Sequence, residues 1–264
     1  MKLERQQQRV EELCGASIRA LTGQSDLRYR GRRLHKGAKP LAIRAPHLRT
    51  DPETDDFESY RGAADGISLR LRLSNAEMYQ QNRPEHSVEQ FVYELLEQLR
   101  VESLVPDHFP GMKRNLNHRF KSWSLDFHHA RLTETHVGLL LYTLSQVVWA
   151  RLNNRSVLQE TEDLMEATRF NLMPLIGTSL VLLKKNRFDQ QLYITHALEL
   201  ASIINGLIDN ETVEQMEEED NSQEPDDISR LAKFISLDAS DESIDIAATI
   251  TGESKAFKES GGLY

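Results

Sequence analysis

Four polar side chains, Glu97, Gln98, Arg100 and Glu102, crowd into the stretch LEQLRVESL. Carboxylates flanking a guanidinium can move a proton, hold an ion pair or meet a partner's charge. Acid–base catalysis would need a histidine or a nucleophile alongside, and the stretch carries neither. Ion pairing is therefore the expected chemistry. The helix that must present these residues opens at Ser87 and Gln90, spaced as a capping box, and continues with Val88, Phe91, Val92, Leu95 and Leu99 at helical spacing. At about 100° per residue, Glu97 points away from this apolar stripe and Glu102 falls on its flank, while Val101 points outward. Arg100 can pair with Glu97 at i,i+3, worth tenths of a kcal/mol on an exposed flank. Glu102 has only Gln98 at i−4, so a core-side carboxylate there needs a cation from elsewhere. Arg70, Arg72 and Arg114 are the candidates, and the alternative is a rim position from which Glu102 reaches water. An outward Val101 implies a helix covered on both sides or a partner surface.

Other chemistry is sparse. The sequence lacks G-x-x-x-x-G-K-[ST], G-x-G-x-x-G and G-x-S-x-G, so any ATP hydrolysis belongs to another chain. Cys14, the single cysteine, sits on an apolar helical stripe and reads as a buried structural thiol. His118, His128, His129 and His136 have no metal-ligand spacing: neighbouring His128 and His129 diverge on a helix or a strand alike. In KFISLDASDES, Asp238 and Ser240 fit the D-x-S-x-S metal signature of von Willebrand A domains, but Glu242 stands at the second hydroxyl position. Accidental likeness in an acidic tail is the expectation. Arg28, Arg30, Arg32, Arg33, Lys36, Lys39, Arg44 and Arg49 form a basic patch with no acid between them. It could neutralise phosphates, stand solvated, or dock an acidic protein surface, this chain's own tail included. Tyr29 is its only aromatic residue, which argues against a stacking platform for single strands.

The elements that carry these residues divide unevenly. Residues 208–264 hold 16 acids and 4 bases, whereas the preceding 207 residues hold 25 acids and 28 bases. The stretch from Asp209 to Asp227, with ten acids and no base, cannot repay the entropy of folding and reads as a disordered linker. Within the tail, the residues near Ile228 to Ile235 read as a transient helical turn. Residues 1–207 read as a mainly helical domain with a small β element near the N-terminus. Val10, Leu13, Cys14, Ile18 and Leu21 mark a first helix, and LRYR with LAIR suggest a hairpin. Asp51 to Gly66 reads as an acidic loop. Ile67 to Leu73 alternates as a strand would, yet could also open a helix. Ser74 with Glu77 offers a capping box; Thr135 to Leu152, Glu160 to Lys184 and Phe188 to Leu207 read helical, Pro174 ending or kinking the second. The charged start and the short longest apolar run, Gly138 to Ala150, point to a soluble cytoplasmic protein without a membrane span.

Three stretches together resemble the cobaltochelatase CobT-type subunit. RGAADGISLRLRL is similar in layout to that family's R-G-x-x-D-x-x-x-L-R-L segment. EQLRVE matches E-Q-x-R-x-E through Glu97, Gln98, Arg100 and Glu102, and GMKRNL resembles M-x-G-V-x-x-N-L through Met112, Asn115 and Leu116. Its glycine is displaced, and Arg114 replaces a small apolar residue. RFDQQLYITHALELASIIN is similar to the closing D-Q-x-x-[FY]-A helix. The second family-like segment puts Arg70 first among the cations expected at Glu102. The resemblance implies the N-terminal region of such a subunit, lacking the C-terminal von Willebrand A domain. It implies a non-catalytic adaptor with no cofactor of its own, assembled with a MoxR-type, CobS-like AAA+ ATPase that carries ATP and Mg²⁺. It also implies a large, CobN-like chelatase subunit that receives Co²⁺ in aerobic cobalamin biosynthesis. A nucleic-acid-binding module using the basic patch, with the acidic tail as its autoinhibitor, is the alternative from a different class.

Overall fold

The computed structural model describes residues 2–30, 33–41, 43–51 and 53–217. Eight α-helices and one three-stranded antiparallel sheet make up the described residues: α1 (Lys2–Thr22), β1 (Leu27–Arg30), β2 (Arg33–Lys36), β3 (Lys39–Pro40), α2 (Phe57–Leu73), α3 (Ala76–Gln81), α4 (Ser87–Glu102), α5 (Pro110–His129), α6 (His136–Asn153), α7 (Glu162–Asn186) and α8 (Gln190–Glu217). The mainly helical class with its small β element is as the sequence suggests. The hairpin partner of LRYR, however, is RLHK, with Leu27 opposite Lys36 and Arg30 opposite Arg33, and Leu41, Ile43 and Arg44 of LAIR lie outside the sheet.

The axis of the fold is α4, in which every residue from Phe91 to Glu102 is buried. Phe91, Leu95, Leu96 and Leu99 enter the main core with residues of α5, α6, α7 and α8. Val101 enters a second cluster with Leu69 of α2, Val105 and Leu116 of α5. The helix is thus covered on both sides, and the solvated face expected at Glu97 does not exist. The Ser87 capping box does not form either: His86 stands at the N-cap without a side-chain bond, and Gln90 turns to the Glu85 carbonyl and to Arg83.

Residues 67–73 are helical, not a strand, and the acidic loop ends earlier than its composition suggests. Asp56 caps α2 by accepting from the Ser59 amide at 2.8 Å. Gly62 and Gly66, which look like loop punctuation, share one face of α2 at i,i+4. A Cβ on Gly62 would stand 2.3 Å from the Asn115 carbonyl oxygen of α5, and one on Gly66 2.7 Å from Leu48. Gly62 lets the backbones of α2 and α5 approach, and Gly66 makes room for the Leu48, Glu102 and Gln98 side chains; neither turns the chain. In α3 the cap is Asn75, not Ser74, since Asn75 Oδ1 accepts from the Met78 amide at 3.0 Å.

Thr135 caps α6 through Gly138, and Asn154 ends it in the left-handed conformation. Pro174 does not end α7: Pro174 and Phe170 are both exposed, so the carbonyl deprived of its donor faces water. Two expected core positions are about half exposed, Leu13 at 49% and Leu192 at 50%. Leu200 and Ile204 are buried as the spacing suggests, with Ile203 and Leu207 partly so. The helix α8 is continuous across Leu207 to Glu217, and Asp238, Ser240 and Glu242 lie outside the described residues. No helix among the described residues is long and apolar enough to cross a membrane.

Candidate functional site

Glu97 and Arg100 sit one turn apart on α4, each 1% exposed. Their pairing is bidentate: Arg100 Nε donates to Glu97 Oε2 at 2.7 Å and Nη2 to Oε1 at 2.8 Å. The remaining donors of the fork go to two helix ends. Nη2 also reaches the Leu73 carbonyl at the last residue of α2 (2.9 Å), and Nη1 reaches the Arg187 carbonyl just beyond α7 (3.2 Å). A cation at a helix C-terminus satisfies orphan carbonyls and meets the negative end of the dipole, here at two helices at once. Ser74 Oγ donates to Glu97 Oε1 at 2.6 Å, Gln190 Nε2 donates to Ser74 Oγ at 3.2 Å, and the Asn75 amide donates to Gln190 Oε1 at 2.7 Å. Tyr193 places its ring 5.8 Å from the Arg100 guanidinium carbon and donates its hydroxyl to the Leu96 carbonyl at 2.9 Å. Burial, and then the Glu97 charge, push that phenol well above its ordinary pKa, so it stays a donor. Segments near residues 74, 100 and 190 therefore meet at one point.

A second pair lies one turn earlier on α4. Arg70 Nη2 faces Glu94 Oε2 at 3.4 Å, and its guanidinium lies 4.3 Å from the Tyr79 ring centre. Glu94 also accepts from the Arg44 amide at 3.1 Å and from the Tyr79 hydroxyl. Burial works against the Arg70 charge, but Glu94 and Glu97 outweigh it and raise the pKa. So Arg70 is not the cation at Glu102. Arg72 donates to the Leu21 carbonyl and Arg114 meets Glu58 on the surface. Geometry explains this: Arg70 lies near the end of α2, opposite the middle of α4, and Glu102 is the last residue of α4.

Glu102 faces the 3₁₀ turn Pro46–Leu48 instead. His47 Nε2 donates to Glu102 Oε1 at 2.9 Å, and Gln98 Nε2 donates to the same oxygen at 2.8 Å and to the Gly66 carbonyl at 3.1 Å. Hence Glu102 is buried and held by Gln98 and His47 rather than by an arginine, and Gln98 carries the bond on to α2. The His47 ring stands edge-on to Phe120 and Trp123, and its carbonyl accepts from Arg119 Nε at 2.7 Å. Arg119 in turn pairs with Asp55. Asn115 Nδ2 donates to Asp65 Oδ2 at 2.8 Å, and Arg61 Nη2 meets Asp65 Oδ1 at 3.0 Å. Burial raises the Asp65 carboxyl, with Asn115 and Arg61 opposing.

A family model described as "Cobalamin biosynthesis protein CobT" matches residues 4–250. The chain belongs to the CobT family. Comparison with curated proteins and with solved structures gave no match.

In this CobT family member, Glu97, Gln98, Arg100, Glu102, Arg70 and Asn115 are all drawn into contacts between helices. His47, Glu94, Asp65 and Arg119 complete those contacts; Asp65 is the acid of the R-G-x-x-D segment, whereas sequence reasoning passed over the other three. The i,i+4 glycines of RGAADG, which mark a close approach to α2, are a signal that could have pointed to Arg119; none marks His47 or Glu94. Among the described residues no group of three or more His, Cys, Asp or Glu could hold a metal ion. His128 Nδ1 meets Thr133 and His118 meets Asp56. Within the basic patch Arg28, Arg33, Lys36, Lys39 and Arg49 are exposed, Arg44 is half-buried, Arg30 belongs to β1, and Arg32 lies outside the described residues.

Proposed function

We propose that this CobT family protein is a non-catalytic adaptor in a cobaltochelatase-like complex, acting with a MoxR-type AAA+ ATPase and a large chelatase subunit in cobalamin biosynthesis. One observation carries the reading beyond family membership. The acids and bases of E-Q-x-R-x-E meet one another, helix carbonyls and neighbouring side chains inside the fold, so the motif fastens helices. A rigid helical body that presents surfaces, with its charged motif spent internally, suits an adaptor better than an enzyme. ATP binding and hydrolysis, and the Mg²⁺ they need, fall to the partner, since the sequence has no P-loop. The test is reconstitution: ATP-dependent Co²⁺ insertion into the corrin, assayed with ATPase and chelatase subunit present and this chain added or omitted. Insertion that needs the chain supports the reading; insertion unaffected by its omission contradicts it.

Nucleic-acid binding stands as a second reading because the small sheet exposes Arg28, Arg33, Lys36 and Lys39 together. Phosphate contacts would make binding fall steeply with salt. An oligonucleotide titration at two salt concentrations decides it, and an absence of binding at low salt removes it.

A further inference from the structure

Among the described residues, nothing covers an apolar stripe on the outer face of α7. Phe170, Met173, Gly177 and Val181 recur at i, i+3, i+7 and i+11, with Phe170 79% and Val181 48% exposed. Met173, Gly177 and Val181 line a groove of about 450 Å³ between α6 and α7, rimmed by Arg151, Arg155 and Lys184 and by no acid. A soluble helix rarely leaves such a stripe without an occupant. The occupant must offer an apolar ridge and acidic flanks.

We propose that the occupant is this chain's own segment Ile228–Ile235, laid as a short helix into the α6–α7 groove. In ISRLAKFI, residues Ile228, Leu231, Phe234 and Ile235 fall on one helical face, and Arg230 and Lys233 fall on the other. Glu224, Asp226 and Asp227 precede the segment, and Asp238, Asp241 and Glu242 follow it, matching three rim bases with acids at both ends. The reach is sufficient. α8 follows α7 after three residues and packs against it, so at the helical rise per residue Glu217 returns to about the level where α7 begins. The centre of the groove, near Gly177, lies about 23 Å along α7 from Glu162 at the helical rise per residue. The ten residues between Glu217 and Ile228 can span about 33 Å. The acidic linker then crosses the basic rim on its way, which favours return over escape.

The test uses the full chain with Cys14→Ser and two introduced cysteines, Val181→Cys and Leu231→Cys. The control pair is Thr195→Cys with Leu231→Cys, because Thr195 is exposed on α8 at about the same level. A tethered, docked segment closes the 181–231 disulfide at least roughly tenfold faster than the control, at a rate independent of protein concentration. Equal rates for the two pairs overturn the proposal, as does a cross-link between chains that grows with concentration, which assigns the groove to a second copy. Trypsin supplies a readout without introduced cysteines. Arg151→Glu with Arg155→Glu speeds cleavage after Arg230 and Lys233 roughly fivefold or more if the rim charges hold the segment, and an unchanged rate overturns it.

Discussion

Replacing Arg100 with methionine keeps an unbranched apolar stem and removes the whole fork of donors. Glu97 would keep Ser74 as a partner but lose the cation bonded to it, and at 1% exposure it cannot recover solvent. The Leu73 and Arg187 carbonyls would lose their cap in the same step. Breaking a buried pair by deleting one partner costs about 3–5 kcal/mol, a large part of the ~5–15 kcal/mol that holds a domain folded. For a body of this size that corresponds to a fall in Tm of roughly 6–20 °C. Urea unfolding of Arg100→Met, Glu97→Leu and the double variant measures it. The double variant should lose less than the sum of the singles by about 2–3 kcal/mol, since it leaves no orphaned charge. Hydrogen exchange in Arg100→Met should quicken first at the end of α2 and in the turn between α7 and α8. A loss under about 1 kcal/mol with an additive double variant, as for an exposed pair, would refute the reasoning.

The glycine contact gives an independent check. Gly62→Ala places a methyl 2.3 Å from the Asn115 carbonyl and 2.6 Å from Arg119 Cβ, forcing α2 and α5 apart, and should lower stability by about 1–3 kcal/mol in urea. Cys14 is buried, and its burial pushes the thiol up from 9.0 to about 11 against the pull of Arg61. Two pKa steps leave roughly 100-fold less thiolate at pH 8, so iodoacetamide should modify the native chain at least that much more slowly than the urea-unfolded chain. Asp65 binds its proton more tightly folded than unfolded, so its contribution is complete below the ordinary carboxylate value and is lost as pH rises through the raised one. Urea midpoints of Asp65→Asn should accordingly fall less than those of the parent chain from about pH 4 upward.

Much of the helical body was legible because its helices after Pro84 have one strong apolar stripe or a clear stop. α6 runs between Thr135 and Asn154 as its apolar run suggests, whereas Pro110, which reads as a chain break, stands in the first turn of α5. The central helix was legible only on one side. A helical wheel assumes that one face meets water, and α4 has no such face, so Glu97 was placed in solvent and Val101 outside. The network at Glu102 was hidden for a different reason. Its partner His47 comes from a three-residue turn 55 positions earlier, and no local period announces such a contact. Residues 57–66 looked like a loop because their glycines carry no local sign of whether they turn the chain or let helices touch; the nearby Asn115 backbone decides. That the family-like segments ending at Leu73 and starting at Arg187 meet at Arg100 needed coordinates.

The central claim is that this body works by assembling with an ATPase ring. Light scattering after gel filtration of the chain mixed with the MoxR-type ATPase, with and without ATP and Mg²⁺, tests it most directly. A single nucleotide-dependent species heavier than the ATPase alone is the predicted result. Two separate peaks under both conditions, from a chain whose folding is verified by circular dichroism, would contradict it.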